Sequence, residues 1–183
     1  MTRKLDETTL VRPSKFAHVV LRTRHFEEAI AWYGTVLGME VVFRNDLVAF
    51  MTYDEEHHRL ALFAVPDKEA PAPGSPGLDH MAYTFDSIGA LLGQYRRLRA
   101  EGIEPAWTIN HGPTTSLYYD DPDGNRVELQ VDNFDSVAEN KAWMESETFR
   151  INPIGVPFDP EELVARYESG EPWETLRLQP AEA

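Results

Sequence analysis

The sequence predicts an α+β fold of two tandem βαβββ modules, at residues 16–66 and 77–131, joined by a linker at 67–77 and followed by a C-terminal extension at 132–183. Three observations predict it. "FAHVVLRTRHFEEAIAWYGTVLGMEVVF" from Phe16 and "LDHMAYTFDSIGALLGQYRRLRAEGIEP" from Leu78 repeat one another, each opening with a short apolar strand that carries a histidine at its third position. "FMTYDEEHHRLALFAV" and "SLYYDDPDGNRVELQV" both read as strand, polar turn, strand, and aligning Tyr53-Asp54 with Tyr119-Asp120 needs no gap. Between the repeats lies "DKEAPAPGSPG", whose Pro, Gly and Ala content suits a flexible connector.

In the first module Phe26, Ala29, Ile30, Tyr33, Val36 and Leu37 recur at helical spacing, and Gly38 suits the left-handed residue that ends a helix. His25 reads as a surface or capping residue at its start. In the second, Ile88, Leu91, Leu92, Tyr95 and Leu98 form the apolar stripe, with Ser87 as N-cap and Gly102 as terminator. A hairpin follows each helix, most clearly at "DDPDGN", where Pro, Asp and Gly supply the φ values a turn needs. In the extension "SVAENKAWMESE" reads as a helix, "RINPIGVPFDP" as proline-broken and extended, and "PEELVARYESG" as a short helix with Gly170 beyond it. The extension is expected to pack on the barrel or on a neighbouring subunit, with the end, "LRLQPAEA", disordered.

Composition narrows the function. With 183 residues, 42% hydrophobic and 26% charged, the chain has the make-up of one globular domain, and no apolar run approaches the ~18 residues of a membrane span. Asp6, Glu7 and Pro13 interrupt the N-terminus before a signal peptide could form, so the expected address is the cytoplasm. There is no cysteine, so any metal must be held by nitrogen and oxygen. A formal charge of −14 argues against nucleic acid or an anionic membrane as partner and favours a small molecule.

Three residues stand at repeat-related or otherwise telling places: His18 in "FAHVVL", His80 in "LDHMAY" and Glu128 in "DPDGNRVELQ". Val127, Leu129 and Val131 mark one face of the last strand, so Glu128 points the other way with Arg126 and Gln130, toward solvent or a polar cavity. The paired modules and these motifs, over about residues 16–131, resemble the vicinal oxygen chelate superfamily. The resemblance implies a cupped, partly open mixed β-barrel in which His18, His80 and Glu128 ligate a divalent metal. Two imidazoles and one carboxylate leave about three coordination positions open, the pattern of non-haem Fe(II) oxygenases. Glyoxalase-type members draw a fourth ligand from the last strand of module one; the ungapped alignment puts Leu62 there, which leans away from that chemistry.

"INHGPTTSLYYDDPDGNRVELQ" further resembles the signature of type I extradiol dioxygenases, with His111 upstream and Tyr118 ten residues before the glutamate. "HHRLAL" is similar to their adjacent histidine pair, whose second member handles protons. If Leu62 faces the cavity as Glu128 does, strand alternation turns His58 inward and His57 outward, provided no bulge intervenes. The resemblance therefore implies an Fe(II) enzyme, with Mn(II) as the other metal open, that inserts both atoms of O2 into a catechol-type aromatic diol by meta-cleavage. His58 would be the acid–base residue, His111 and Tyr118 would hydrogen-bond the substrate, and the chain would form a homodimer or higher homo-oligomer. A thiol transferase or glyoxalase-like lyase on the same scaffold, and a metal-free small-molecule-binding resistance protein, stay open as alternatives.

Overall fold

In a computed structural model of the chain, residues 8–72 and 74–179 are described. Residues 1–7, on which the leader question partly falls, and residues 180–183 of the expected disordered end lie outside them.

The first module runs β1 (Val19–Thr23), α1 (Phe26–Leu37), β2 (Glu40–Arg44), β3 (Val48–Thr52) and β4 (Leu60–Ala64). The second runs β5 (His80–Thr84), α2 (Ile88–Ala100), β6 (Trp107–Asn110), β7 (Thr114–Asp120) and β8 (Arg126–Asp132). The helix ends follow their local chemistry. Gly38 adopts φ 64°, a conformation that costs a residue with a Cβ, and closes α1, while the Ser87 hydroxyl accepts from the Ala90 N–H to open α2. In each module the first and last strands pair in parallel and the rest antiparallel, giving sheets ordered β1-β4-β3-β2 and β5-β8-β7-β6, the latter extended by a further strand. This is the expected α+β architecture, with the two sheets separate and no closed barrel.

One face of each sheet, with its helix, enters a common core. Leu21, Tyr33, Leu60 and Leu62 from the first module and Leu91, Tyr95, Leu117, Tyr119, Val127 and Leu129 from the second belong to one buried cluster. Burying each such leucine is worth about 2 kcal/mol. Polar contacts tie the modules at the same seam: Tyr33 Oη donates to Asp121 Oδ2 at 3.0 Å, Gln94 Nε2 to the Val36 carbonyl at 2.7 Å, and Arg24 Nε to Asp123 Oδ1 at 3.1 Å. The opposite face of the first sheet is apolar yet open. Val20 is 47%, Phe43 50% and Phe63 43% exposed.

The register corrects the hairpin alignment. Tyr118 pairs with Glu128 across β7 and β8, and Ala82 pairs with Glu128 across β5 and β8. Their counterparts in the first sheet, Phe50 and Val20, pair with Ala61. The cause is the turn: residues 52–59 separate Met51 from its partner Leu60, whereas residues 120–126 separate Tyr119 from Val127, one fewer. Leu62 is a core residue with 0% exposure and points away from the Glu128-equivalent face. Ala61 offers no ligand either, so no fourth donor stands at that position.

The extension adds α3 (Val137–Met144), α4 (Glu147–Ile151), β9 (Val156–Pro157), α5 (Pro160–Glu168) and α6 (Trp173–Leu176). The expected helix forms as α3, and an unexpected one follows it because Ser146 caps α4, its hydroxyl accepting from Phe149 N at 3.2 Å, so that Arg150 and Ile151, read as extended, are helical. β9 joins the edge of β6, and α5 docks on α2, where Tyr95 Oη donates to Glu161 Oε1 at 2.7 Å. The expected disorder from Leu176 does not hold for residues 176–179: Leu176 is buried, and Gln179 Nε2 donates to the Asn110 carbonyl at 3.0 Å.

Candidate metal centre

On the second sheet, His80 opens β5 and Glu128 lies centrally in β8, both on the face away from α2. The neighbouring Asp79 Oδ1 lies 2.7 Å from His80 Nδ1. A carboxylate only accepts, so Nδ1 carries the proton; that bond, then the imidazole charge, holds the Asp79 pKa below its ordinary range. His80 Nε2 is thereby turned toward Glu128, 3.2 Å from Oε2. The Glu128 side chain is only 6% exposed, and a carboxylate so enclosed requires positive charge or donors around it. Two ligands at right angles, each ~2.1 Å from one divalent cation, stand about 3 Å apart, so these two donor atoms fit a shared metal.

Beside them Tyr118, Glu128's cross-strand partner, is buried. Burial first, and then the Glu128 charge, raise its pKa, so it remains a hydroxyl at neutral pH. His111 follows β6; its Nε2 lies 2.9 Å from Tyr118 Oη and 3.9 Å from Glu128 Oε1, and its Nδ1 lies 2.5 Å from the Ile154 carbonyl oxygen. The Trp107 ring stands 4.9 Å from that of Tyr118 and walls the group on one side.

The first sheet carries the remaining candidates. His18 immediately precedes β1, and its ring centroid is 4.3 Å from that of His58. His58 lies in the connection before β4, outside the strand alternation assumed for it. It is held instead by stacking on Phe50, 4.7 Å between centroids and 16° between planes, and Phe50 is the cross-strand partner of Ala61. Burial, then the charges of His18 and His57, lower the His58 pKa below the ordinary imidazole value. His57 is the more exposed of the pair, with its Nδ1 2.6 Å from His58 Nδ1.

Among the described residues no three His, Asp or Glu side chains converge where one metal ion could be held. His80, Glu128, Tyr118 and His111 form one group, and His18 with His58 another. Asp79, Trp107 and the Ile154 carbonyl are parts of the arrangement that sequence reasoning missed.

Paired βαβββ units, each with a histidine at or just before its first strand and the second with a buried glutamate in its last strand, define the class of fold. Residues 15–129 match the model of the Glyoxalase/Bleomycin resistance protein/Dioxygenase superfamily, and the chain belongs to that family. It is 50% identical over 159 residues, 86% of this chain and 84% of the other, to "Biphenyl-2,3-diol 1,2-dioxygenase 2" of Rhodococcus globerulus. To "Biphenyl-2,3-diol 1,2-dioxygenase 3" of the same organism it is 46% identical, with 86% and 84% covered. Among solved structures, the lactoylglutathione lyase of Agrobacterium tumefaciens superposes with TM-score 0.53 and 25% identity, over 65% of this chain and 94% of that one. No helix among the described residues is long and apolar enough to cross a membrane.

Proposed function

We propose that this protein is an Fe(II)-dependent extradiol dioxygenase that opens the ring of a catechol-type diol with both atoms of O2. The observation that carries the reading is the convergence of His80 Nε2 and Glu128 Oε2 beside the hydrogen-bonded Tyr118–His111 pair. It stands in a chain half identical to a biphenyl-2,3-diol 1,2-dioxygenase. Iron, with Mn(II) as the other fitting ion, would be held by His80, Glu128 and His18, and would supply chelation of the vicinal oxygens and activation of O2.

Because His18 does not meet the other two within one chain, the reading includes a homodimer in which His18 comes from a second copy. The open apolar face around His18 supports this, since exposed apolar surface of this kind calls for a cover. His58, poised as a neutral base, would take a proton from a substrate hydroxyl and return it later. Tyr118 and His111 would hold the substrate oxygens by hydrogen bonds, and Trp107 would exclude water. With Ala61 at the position matching Glu128, no fourth protein ligand completes a glyoxalase-like set.

The test is anaerobic reconstitution with Fe(II), then air and a panel of catechols including biphenyl-2,3-diol, with oxygen uptake and the yellow ring-cleavage chromophore followed together. Iron binding with neither signal would overturn the proposal.

A further inference from the structure

We propose that residues 152–155, in the C-terminal extension beyond the family-matched region, are a positioning element that fixes the tautomer of His111 through the Ile154 carbonyl. The inference rests on the reading of His111 as an active-site residue and adds what holds it.

A carbonyl oxygen can only accept, so the contact at 2.5 Å places the proton on His111 Nδ1. In the neutral ring this leaves Nε2 as a bare acceptor facing Tyr118 Oη, 2.9 Å away, whose one proton His111 shares with the Glu128 carboxylate. The opposite tautomer would aim an N–H at Tyr118 and leave Nδ1 without a proton against the carbonyl. The extension thus sets which nitrogen, and whether a donor or an acceptor, His111 turns toward Tyr118.

The element that presents Ile154 is itself tightly held. Asn152 Oδ1 accepts from the N–H groups of Ile154 at 3.2 Å and Gly155 at 2.9 Å, while its Nδ2 donates to the Gly155 carbonyl at 2.8 Å. Gly155 has φ 109°, and a Cβ there would lie 2.3 Å from the Asn110 carbonyl oxygen and 2.7 Å from His111 Cα. Only glycine allows the turn to sit against the backbone of His111. Directly beyond, Val156 pairs with Asn110 and Pro157 with Ile109, so the turn cannot slide. The loop that carries His111 is covered in turn by Trp143 of α3, which lies against Gly112.

The experiment reads the ring itself. The full-length chain, labelled with 15N at histidine and prepared free of metal, is examined by long-range 1H–15N correlation, with His111→Asn used only to assign the signal. Wild type is expected to show His111 protonated at Nδ1 and bare at Nε2. Asn152→Ala, which releases the turn, is expected to move a large part of the population to the Nε2–H form and to lower kcat of the iron-loaded enzyme about tenfold, with KM little changed. Asn152→Asp keeps the two accepted bonds and is expected to restore most of the wild-type tautomer. It also carries the test if the alanine variant does not fold: an intermediate shift supports the element, and so does a wild-type spectrum seen beside a shifted folded Gly155→Ala. A wild-type His111 found mainly as Nε2–H would overturn the proposal, as would folded variants that all keep the wild-type tautomer. The spectrum needs neither metal nor catechol, so a failure of ring cleavage would count against the function and leave this result standing.

Discussion

If His18 reaches the metal from a second copy, two inactive variants should rescue one another. His18→Ala removes one ligand and Glu128→Ala another, and each homodimer then has both sites broken. In a mixed dimer one site combines both lesions. The other draws His18 from the Glu128→Ala chain and His80 with Glu128 from the His18→Ala chain, and is whole. Random reassociation of equal amounts makes half the dimers mixed, each with one whole site of two, so the mixture should recover about a quarter of wild-type activity. The assay is oxygen uptake with biphenyl-2,3-diol, and iron per chain, after the two variants are co-unfolded and refolded, with different tags to isolate the mixed species. The separation of His18 and His58 from His80, Glu128, Tyr118 and His111 on two sheets sets this expectation, because no three acidic or imidazole side chains converge within the described chain. A verified mixed dimer with no activity and no tight iron would refute it.

Three further outcomes are expected. His58→Ala should keep its iron and lose about 10²- to 10⁴-fold in turnover, as removal of a general acid–base group does, and loss of iron in that variant would make His58 a ligand instead. Tyr33→Phe should cost about 1–2 kcal/mol in urea unfolding, because Asp121 loses a buried donor at the module seam but keeps those of Asp123 N, Asn125 N and Asn125 Nδ2; an unchanged midpoint would remove that bond from the account of the seam. Asp123 gives a pH dependence: burial pushes its pKa up, but the bonds donated by Thr23 and Arg24 outweigh burial and hold it below the ordinary range. A carboxylate depressed in the folded state stabilises fully above its unfolded pKa of about 3.9 and loses that contribution as pH falls through the folded value. The melting temperature should therefore drop in acid, less steeply for Asp123→Asn, and identical slopes would refute the assignment.

What the sequence made legible followed the range of the interactions concerned. The stripe from Phe26 to Leu37, the Ser87 cap and the Gly38 terminator are set by neighbours within a few residues, and they appear where local chemistry puts them. The hairpin register depends on how many residues a turn uses. "DDPDGN" fixes one turn by its own bonds, Asp121 Oδ1 accepting from Asp123 N and Asn125 N, whereas in "YDEEHHR" Asp54 Oδ1 accepts from Glu56 N and Arg59 Nε, and the turn holds one residue more. An alignment without a gap cannot hold across turns of different length, and Ala61 rather than Leu62 takes the place that matches Glu128.

His58 illustrates why a face cannot be read by counting through such a turn. Strand parity would place it with Leu60 and Leu62, both in the core; stacking on Phe50 brings it to the other side beside His18. The hold of Ile154 on His111 spans 43 residues and uses a backbone carbonyl, which leaves no trace in residue type. Its one visible mark is Gly155, where a side chain would collide with the chain it braces. Alternation in "HVVLRT" shows that β1 has two faces, but both are partly apolar, and only the buried cluster tells which is already covered. Val20, Phe43 and Phe63 lie outside that cluster, and this uncovered face is the physical ground for the proposal that His18 meets His80 and Glu128 of another copy.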